Sequence, residues 1–263
     1  MKVFVVTKKM LGSFSVIALC LVLFFGINYR NTLNFIAAAT EKRQIPIYNV
    51  DVGETKKVAI SFDAAWGNED TQMLIDILGK YNVKATFFVV GEWVDKYPES
   101  VKALADAGHD IQNHSSTHAH LPQLSRDQIA KEITDCSDKI EAVTGKKSNL
   151  IRPPYGDYSN SVLETAKEVG HYVIQWDVDS LDWKDPPSSD IVKRVTGKVK
   201  PGSIVLFHNA AKNTPAALPG VIEALQADGY EFVLINDLIY KDNYYIDHAG
   251  MQILNSESEN KAG

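Results

Sequence analysis

The sequence predicts an α/β domain: a (β/α) barrel of about seven parallel strands behind one apolar N-terminal segment. Short apolar runs alternate with amphipathic helical stretches from residue 56 to about residue 240, with no linker or repeat beyond that alternation. The runs are nearly continuous in apolar residues, as in Ala85-Thr86-Phe87-Phe88-Val89-Val90, which suits parallel strands covered on both faces. Reactive polar side chains recur where the runs end, the place where parallel barrels build their sites. Periodicity alone does not separate a barrel from an open sheet; the number of strand–helix units in one domain favours the barrel.

The elements follow in order. Lys57-Val58-Ala59-Ile60-Ser61-Phe62-Asp63 is a strand ending in a carboxylate. The polar turn Gly67-Asn68-Glu69-Asp70 leads to a helix with Leu74, Ile77, Leu78 and Tyr81 on one face. After the strand at 85–90, a helix carrying Val101, Leu104 and Ala105 closes at Gly108, and a strand runs into Ile111-Gln112-Asn113-His114. Ser125 and Gln128 form a capping box for a helix whose inward stripe is Ile129, Ile133, Cys136, Ile140 and Val143, closed by Gly145. Further strands are expected at Asn149–Arg152, His171–Asp177, Ser203–His208 and Glu231–Ile235, with helices near 160–169, 189–197 and 214–228 between them. Thr214 with Pro215 fits an N-cap and an N1 proline. The domain is placed at 56–240, followed by a polar tail over 241–263 that is expected to be disordered from about Asn255.

Lys2, Lys8 and Lys9 precede an apolar run from Met10 to Ile27, just long enough to span a bilayer. The lysine bias predicts a signal anchor over 1–29, a stalk over 30–55 and a domain outside the cytoplasm on a single-pass membrane helix. A cleaved signal peptide is the alternative. Its small-residue site, Ala37-Ala38-Ala39, lies far beyond the apolar run, with Arg30 between. The two cysteines, Cys20 and Cys136, are expected to form no disulfide. A net charge of −6 and no basic stripe speak against a nucleic-acid partner, and a monomer is expected.

Asp63, His114, Arg152, Asp177, Asp179 and His208 fall at or just after strand ends. His114 and His118, four residues apart, would face the same way on a helical turn and could converge on one cation. Arg152-Pro153-Pro154-Tyr155-Gly156 is stiff at both prolines and turns at glycine, and Asp179-Ser180-Leu181-Asp182-Trp183 sets two carboxylates beside an aromatic ring. Gathered on one rim, these polar residues jointly favour a functional site.

These stretches resemble the polysaccharide deacetylases, the family 4 carbohydrate esterases built on the NodB-homology domain. The resemblance runs from about Lys57 to Leu238. It rests, in order, on Ser61-Phe62-Asp63, His114-Ser115-Ser116-Thr117-His118, Arg152-Pro153-Pro154-Tyr155, Asp179-Ser180-Leu181-Asp182-Trp183 and Leu206-Phe207-His208. With its N-terminal apolar segment, the chain looks similar to the membrane-anchored deacetylases of spore-forming bacteria. The resemblance implies a distorted (β/α) barrel that removes acetyl groups from a peptidoglycan- or chitin-like glycan with help from zinc or a similar divalent metal. It implies Asp63 as general base, Arg152 as its orienting partner, His114 and His118 as metal ligands, and the Tyr155 N–H as an oxyanion donor. His208 would be the general acid tuned by Asp182, and Trp183 with Leu206 would hold the acetyl methyl.

One position departs from the family. The aspartate that usually follows the base and completes the metal triad is Ala64. Asn68, Glu69 or Asp70 could substitute, Asp63 and the two histidines could hold a weaker metal, or the site could hold none. The competing function classes are therefore a catalytically weak or inactive glycan-binding protein of the envelope and an esterase for O-acetyl groups.

Overall fold

The computed structural model describes residues 42–255. The expected anchor (1–29), the start of the stalk and residues 256–263 lie outside the described residues. No helix among the described residues is long and apolar enough to cross a membrane.

A short strand β1 (Asn49–Val50) precedes the main sheet. Seven strands then build that sheet: β2 (Lys57–Ala64), β3 (Thr86–Val89), β4 (Asp110–Asn113), β5 (Leu150–Ile151), β6 (Tyr172–Val173), β7 (Val178–Asp179) and β8 (Ile204–His208). Their order is β6-β5-β4-β3-β2-β8-β7, every pair is parallel, and β9 (Glu231–Phe232) adds to the foot of β2. The sheet curls through 213° and stops, so the expected barrel is a half-barrel. The reason lies in the stretch expected as one strand, His171–Asp177. Residues 172–173 pair with β5, residues 178–179 pair with β8, and the chain crosses between the two sheet edges in only four residues.

The expected stalk fills that gap. Ile47 bridges Ile174, Asn49 bridges Ser203, and the Val50 N–H donates to the Gly202 carbonyl. Ile47 and Val50 are buried, so the folded unit begins at Gln44 and not at residue 56. Gly202 has φ +82, and a Cβ there would lie 1.7 Å from the Val50 carbonyl oxygen; only glycine permits this closure. The described part of the expected tail, residues 241–255, carries strands as well. β10 (Tyr244–Ile246) and β11 (Met251–Leu254) form a second sheet with β1, and the buried Gln252 side chain bonds both backbone groups of Tyr240. This pairing spans about 200 residues of sequence, which no local pattern announces.

Helices α1 (Thr71–Lys80), α2 (Gly91–Lys96), α3 (Pro98–Asp106), α4 (Arg126–Thr144), α5 (Asn160–Glu168), α6 (Ser188–Thr196), α7 (Thr214–Ala227) and α8 (Ile235–Leu238) complete the fold. The capping box at Ser125 and Gln128 forms, Gly145 closes α4 at φ +71, and Ile129, Ile133, Cys136 and Ile140 are the buried stripe. Alternation along β2 divides the core. Val58, Ile60, Phe62 and Ala64 pack in the main apolar cluster, with residues of α1, α3 and α7. Ala59 joins the cluster that Ile47, Val50 and α8 fill. Phe62 stacks between Phe87 and Phe207 of the neighbouring strands, fixing β2 against β3 and β8 just below the ends of β2 and β8, where Asp63 and His208 stand.

Candidate active site

β2 and β8 are in register, with Asp63 opposite His208, so the two side chains start from adjacent points on one rim. They share a cavity of about 730 Å³ with His114, His118, Tyr155, Trp183 and Leu206. Of the nine expected site residues, seven line this cavity; Arg152 and Asp182 stand behind it, fully buried.

Asp63 Oδ1 accepts from Arg152 Nη1 at 2.7 Å. The second Arg152 amine donates to Ser61 Oγ at 2.8 Å and to the Gln175 carbonyl at 3.2 Å, and the guanidinium lies 4.2 Å from the Phe88 ring centre. Burial by itself would push the Asp63 carboxyl up. The Arg152 guanidinium beside it more than offsets this and holds it below its ordinary value. Burial also pushes Arg152 down, but a guanidinium stays charged in such a pair.

Across the cavity, His208 Nδ1 meets Asp182 Oδ1 at 2.8 Å. Asp182 Oδ2 accepts from the His208 N–H at 2.8 Å and from the Thr214 hydroxyl at 2.6 Å. A carboxylate can only accept, so Nδ1 carries a hydrogen and Nε2 is left for the cavity. Burial lowers the imidazole's proton affinity, but the Asp182 carboxylate outweighs it and raises His208 above its ordinary value. Thr214 was expected to cap α7. Asn213 is the N-cap instead, because the Thr214 hydroxyl is engaged by Asp182.

His114 and His118 do come together, their ring centres 5.0 Å apart, but not on a helical turn. Residues 114–118 form an irregular loop with Ser115 at φ +66 and His118 at φ +59. Glu132 of α4 holds it by accepting the Ser116 and Thr117 N–H groups and the Thr117 hydroxyl. His114 Nδ1 lies 2.7 Å from the Arg152 carbonyl, which fixes the tautomer and turns Nε2 toward Asp63 Oδ2, 3.6 Å away. Burial keeps both rings neutral, pushing His118 down to about 4 and His114 down as well.

The metal expectation meets a short donor set. Two neutral imidazoles and the Asp63 carboxylate face one another, yet among the described residues no group of three histidine, cysteine, aspartate or glutamate side chains is placed to hold an ion. Ala64 is fully buried in the main apolar cluster. None of the three possible substitutes reaches in: the Asn68 amide donates to Ser100, Glu69 folds beside Gly67, and Asp70 accepts from the Ala210 N–H. A catalytic zinc site takes three protein ligands and keeps one position open. These residues do not fit that set.

The remaining expected residues are placed as follows. Tyr155 sits at φ +62 in a tight turn between Pro154 and Gly156, its ring packed against His118 and His120 with its outer part exposed. Trp183 and Leu206 line the cavity wall. Asp179 is on the rim, but Asp177 is not: it precedes β7, and its carboxylate accepts from Ser203 Oγ and the Ile204 N–H at the foot of β8. Burial pushes the Cys136 thiol up to about 12, so it is inert packing.

The profile of the polysaccharide deacetylase family matches residues 51–174. The chain is 34% identical over 196 residues to the peptidoglycan-N-acetylmuramic acid deacetylase PdaA of Bacillus subtilis (strain 168), which covers 72% of this chain and 74% of that one. It belongs to the polysaccharide deacetylase family. A peptidoglycan-N-acetylglucosamine deacetylase of Bacillus cereus is 34% identical over 183 residues, 68% of this deacetylase-family chain and 66% of its own length. Among solved structures, a CE4 family pseudoenzyme from Bacillus anthracis superposes with a TM-score of 0.71 at 36% identity, over 73% of this chain and 68% of that one. A mutant of that pseudoenzyme with restored enzymatic activity matches at 37% identity and the same TM-score, over 73% and 70%.

Proposed function

We propose that this chain hydrolyses acetyl groups from an N-acetylated, peptidoglycan- or chitin-like glycan of the cell envelope. The supporting observation is the pairing of two complete ion pairs, Asp63–Arg152 and Asp182–His208, across one cavity. Asp63, ionised and oriented by Arg152, takes a proton from a water as its oxygen attacks the acetyl carbon. The carbonyl electron pair moves onto oxygen, to which the Tyr155 N–H would donate. His208, protonated against Asp182, gives its proton to the nitrogen as the C–N bond breaks, releasing acetate and the free amine. Trp183 and Leu206 enclose the methyl group. His114 and His118 offer two donors toward a divalent cation, a site one ligand short.

The wider setting belongs to the same proposal. The basic and apolar N-terminal segment would hold the domain outside the membrane, and the likeness to deacetylases of spore formers suggests the spore envelope. A second reading is a glycan-binding protein with little or no turnover. It is favoured by Ala64 and by the likeness to a pseudoenzyme.

The test is acetate and amine release from acetylated chitooligosaccharides and peptidoglycan by the full chain, alongside elemental analysis for bound metal. Release supports the hydrolase. No release from either glycan, even with added zinc or cobalt, together with retained glycan binding, would establish the second reading.

A further inference from the structure

Six large apolar side chains among the described residues stand exposed, and three of them, Trp66, Tyr155 and Trp183, surround the same cavity. Tyr155 and Trp183 already have places in the reaction; Trp66 has none. Its backbone is nevertheless held with unusual thoroughness. The buried Trp93 indole N–H donates to the carbonyls of Trp66 at 2.9 Å and Gly67 at 2.6 Å. The buried Asn209 amide donates to the same two carbonyls at 2.6 and 2.7 Å, and its oxygen accepts from the Ala65 N–H at 3.3 Å. Asn209 directly follows His208, so the clamp ties this loop to the strand that carries the acid.

The side chain on this clamped backbone is 61% exposed and touches His118 edge-on, with ring centres 5.5 Å apart. Folding gains little from an indole left in water, while a rigid backbone beneath it removes most of the ordering cost that a ligand would otherwise meet. The aromatic surface continues past it. His118 meets Tyr155 at 4.6 Å, Tyr155 stacks on His120 at 4.0 Å, and His120 is tied to Asp157 at 2.7 Å. Trp66, after β2, thus begins a wall that runs along the β4 and β5 side of the rim and is longer than the reacting acetamide group needs.

We propose that Trp66 is a sugar-stacking residue: its indole face holds the pyranose ring next to the one that carries the acetyl group. The apolar C–H face of a β-linked sugar matches a flat aromatic surface that stands 61% exposed on a clamped backbone. This rests on the glycan reading of the cavity and adds to it the demand for more than one sugar. Trp66 is then a determinant of chain length, while the acid–base pair acts on the acetyl group alone.

The test uses the full chain with Asp63→Asn, so that turnover does not consume the probe, and measures binding of the β-1,4-linked tetramer of N-acetylglucosamine by calorimetry. Trp66→Ala is expected to weaken the tetramer about tenfold or more, with the melting temperature unchanged, and Trp66→Phe to restore most of the loss. Unchanged affinity in Trp66→Ala, equal losses in the alanine and phenylalanine variants, or no tetramer binding by the parent would each overturn it. Failure of the hydrolytic reading would show separately, as no acetate released by the unsubstituted chain while tetramer binding persists.

Discussion

On the β7 and β8 side of the cavity, both oxygens of Asp182 are occupied, three donors converge on them, and His208 is left with one defined proton and one defined direction. On the β2 and β4 side, His114 and His118 are brought together and their loop is fixed by Glu132, yet the donor set stops one short. Both sides are equally well built as structure. They differ in what a single residue supplies: Asp182 brings a carboxylate with both oxygens engaged, whereas Ala64 brings no donor at all. Proton transfer and cation binding are thus separable properties of this rim, and one can be intact while the other is incomplete.

The sharpest way to break that contrast is to remove the base or the acid. Asp63→Asn and His208→Ala are each expected to lower acetate release by about a thousandfold or more. Both should still fold, as circular dichroism would report. Asp63→Ala should additionally destabilise by about 3–5 kcal/mol, because it leaves the buried Arg152 guanidinium unpaired. Turnover unchanged in both Asp63→Asn and His208→Ala would rule out the acid–base pair.

The pH profile sharpens the same side. In the proposed reaction Asp63 must be ionised and is held below its ordinary value, so activity is expected to persist to low pH. His208 must be protonated and is raised, so activity falls as pH rises through that raised value, above 6.5. Asp182→Asn removes the raising charge and is expected to move this limb to lower pH, with about a hundredfold loss of rate at neutral pH. An unmoved limb would separate Asp182 from the titration.

On the other side, Ala64→Asp is expected to raise zinc affinity by about tenfold or more in calorimetric titration. Without zinc it should lower stability by about 1–3 kcal/mol, since position 64 is buried among apolar side chains. No gain in affinity would mean that something other than the missing ligand limits the cation side. The smallest effect is expected from Glu132→Gln, which keeps one acceptor but loses the charge that gathers the His118 loop. A severalfold loss of zinc affinity with acid–base chemistry unchanged would place Glu132 in support of the histidines only.

Much of this rim was legible in the sequence because strand ends announce themselves. Asp63, His114 and His208 close apolar runs, and Arg152 precedes two prolines. The convergence of His114 and His118 was also foreseen, for a different reason from the one observed: two left-handed residues and Glu132 do what a helical turn was expected to do. Glu132 itself reads as a solvated helix residue, and Thr214 as a cap. Their roles depend on partners 16 and 32 residues away, which a local pattern cannot carry. The same holds for Ile47, Val50 and β11, whose short apolar stretches gain meaning only once the half-barrel leaves a gap for them.

The register of Asp63 against His208 also bears on the order in which the molecule assembles. β2 lies at the middle of the sheet, but its neighbour β8 arrives about 140 residues later, and β9 later still. Contacts of such long range form late, after the loops between them have closed. A chain released or exported without its last quarter could assemble β2 through β6 and would still have no acid facing its base. In the proposed reaction, a copy lacking β8 holds a base with no acid opposite it and is expected to turn nothing over.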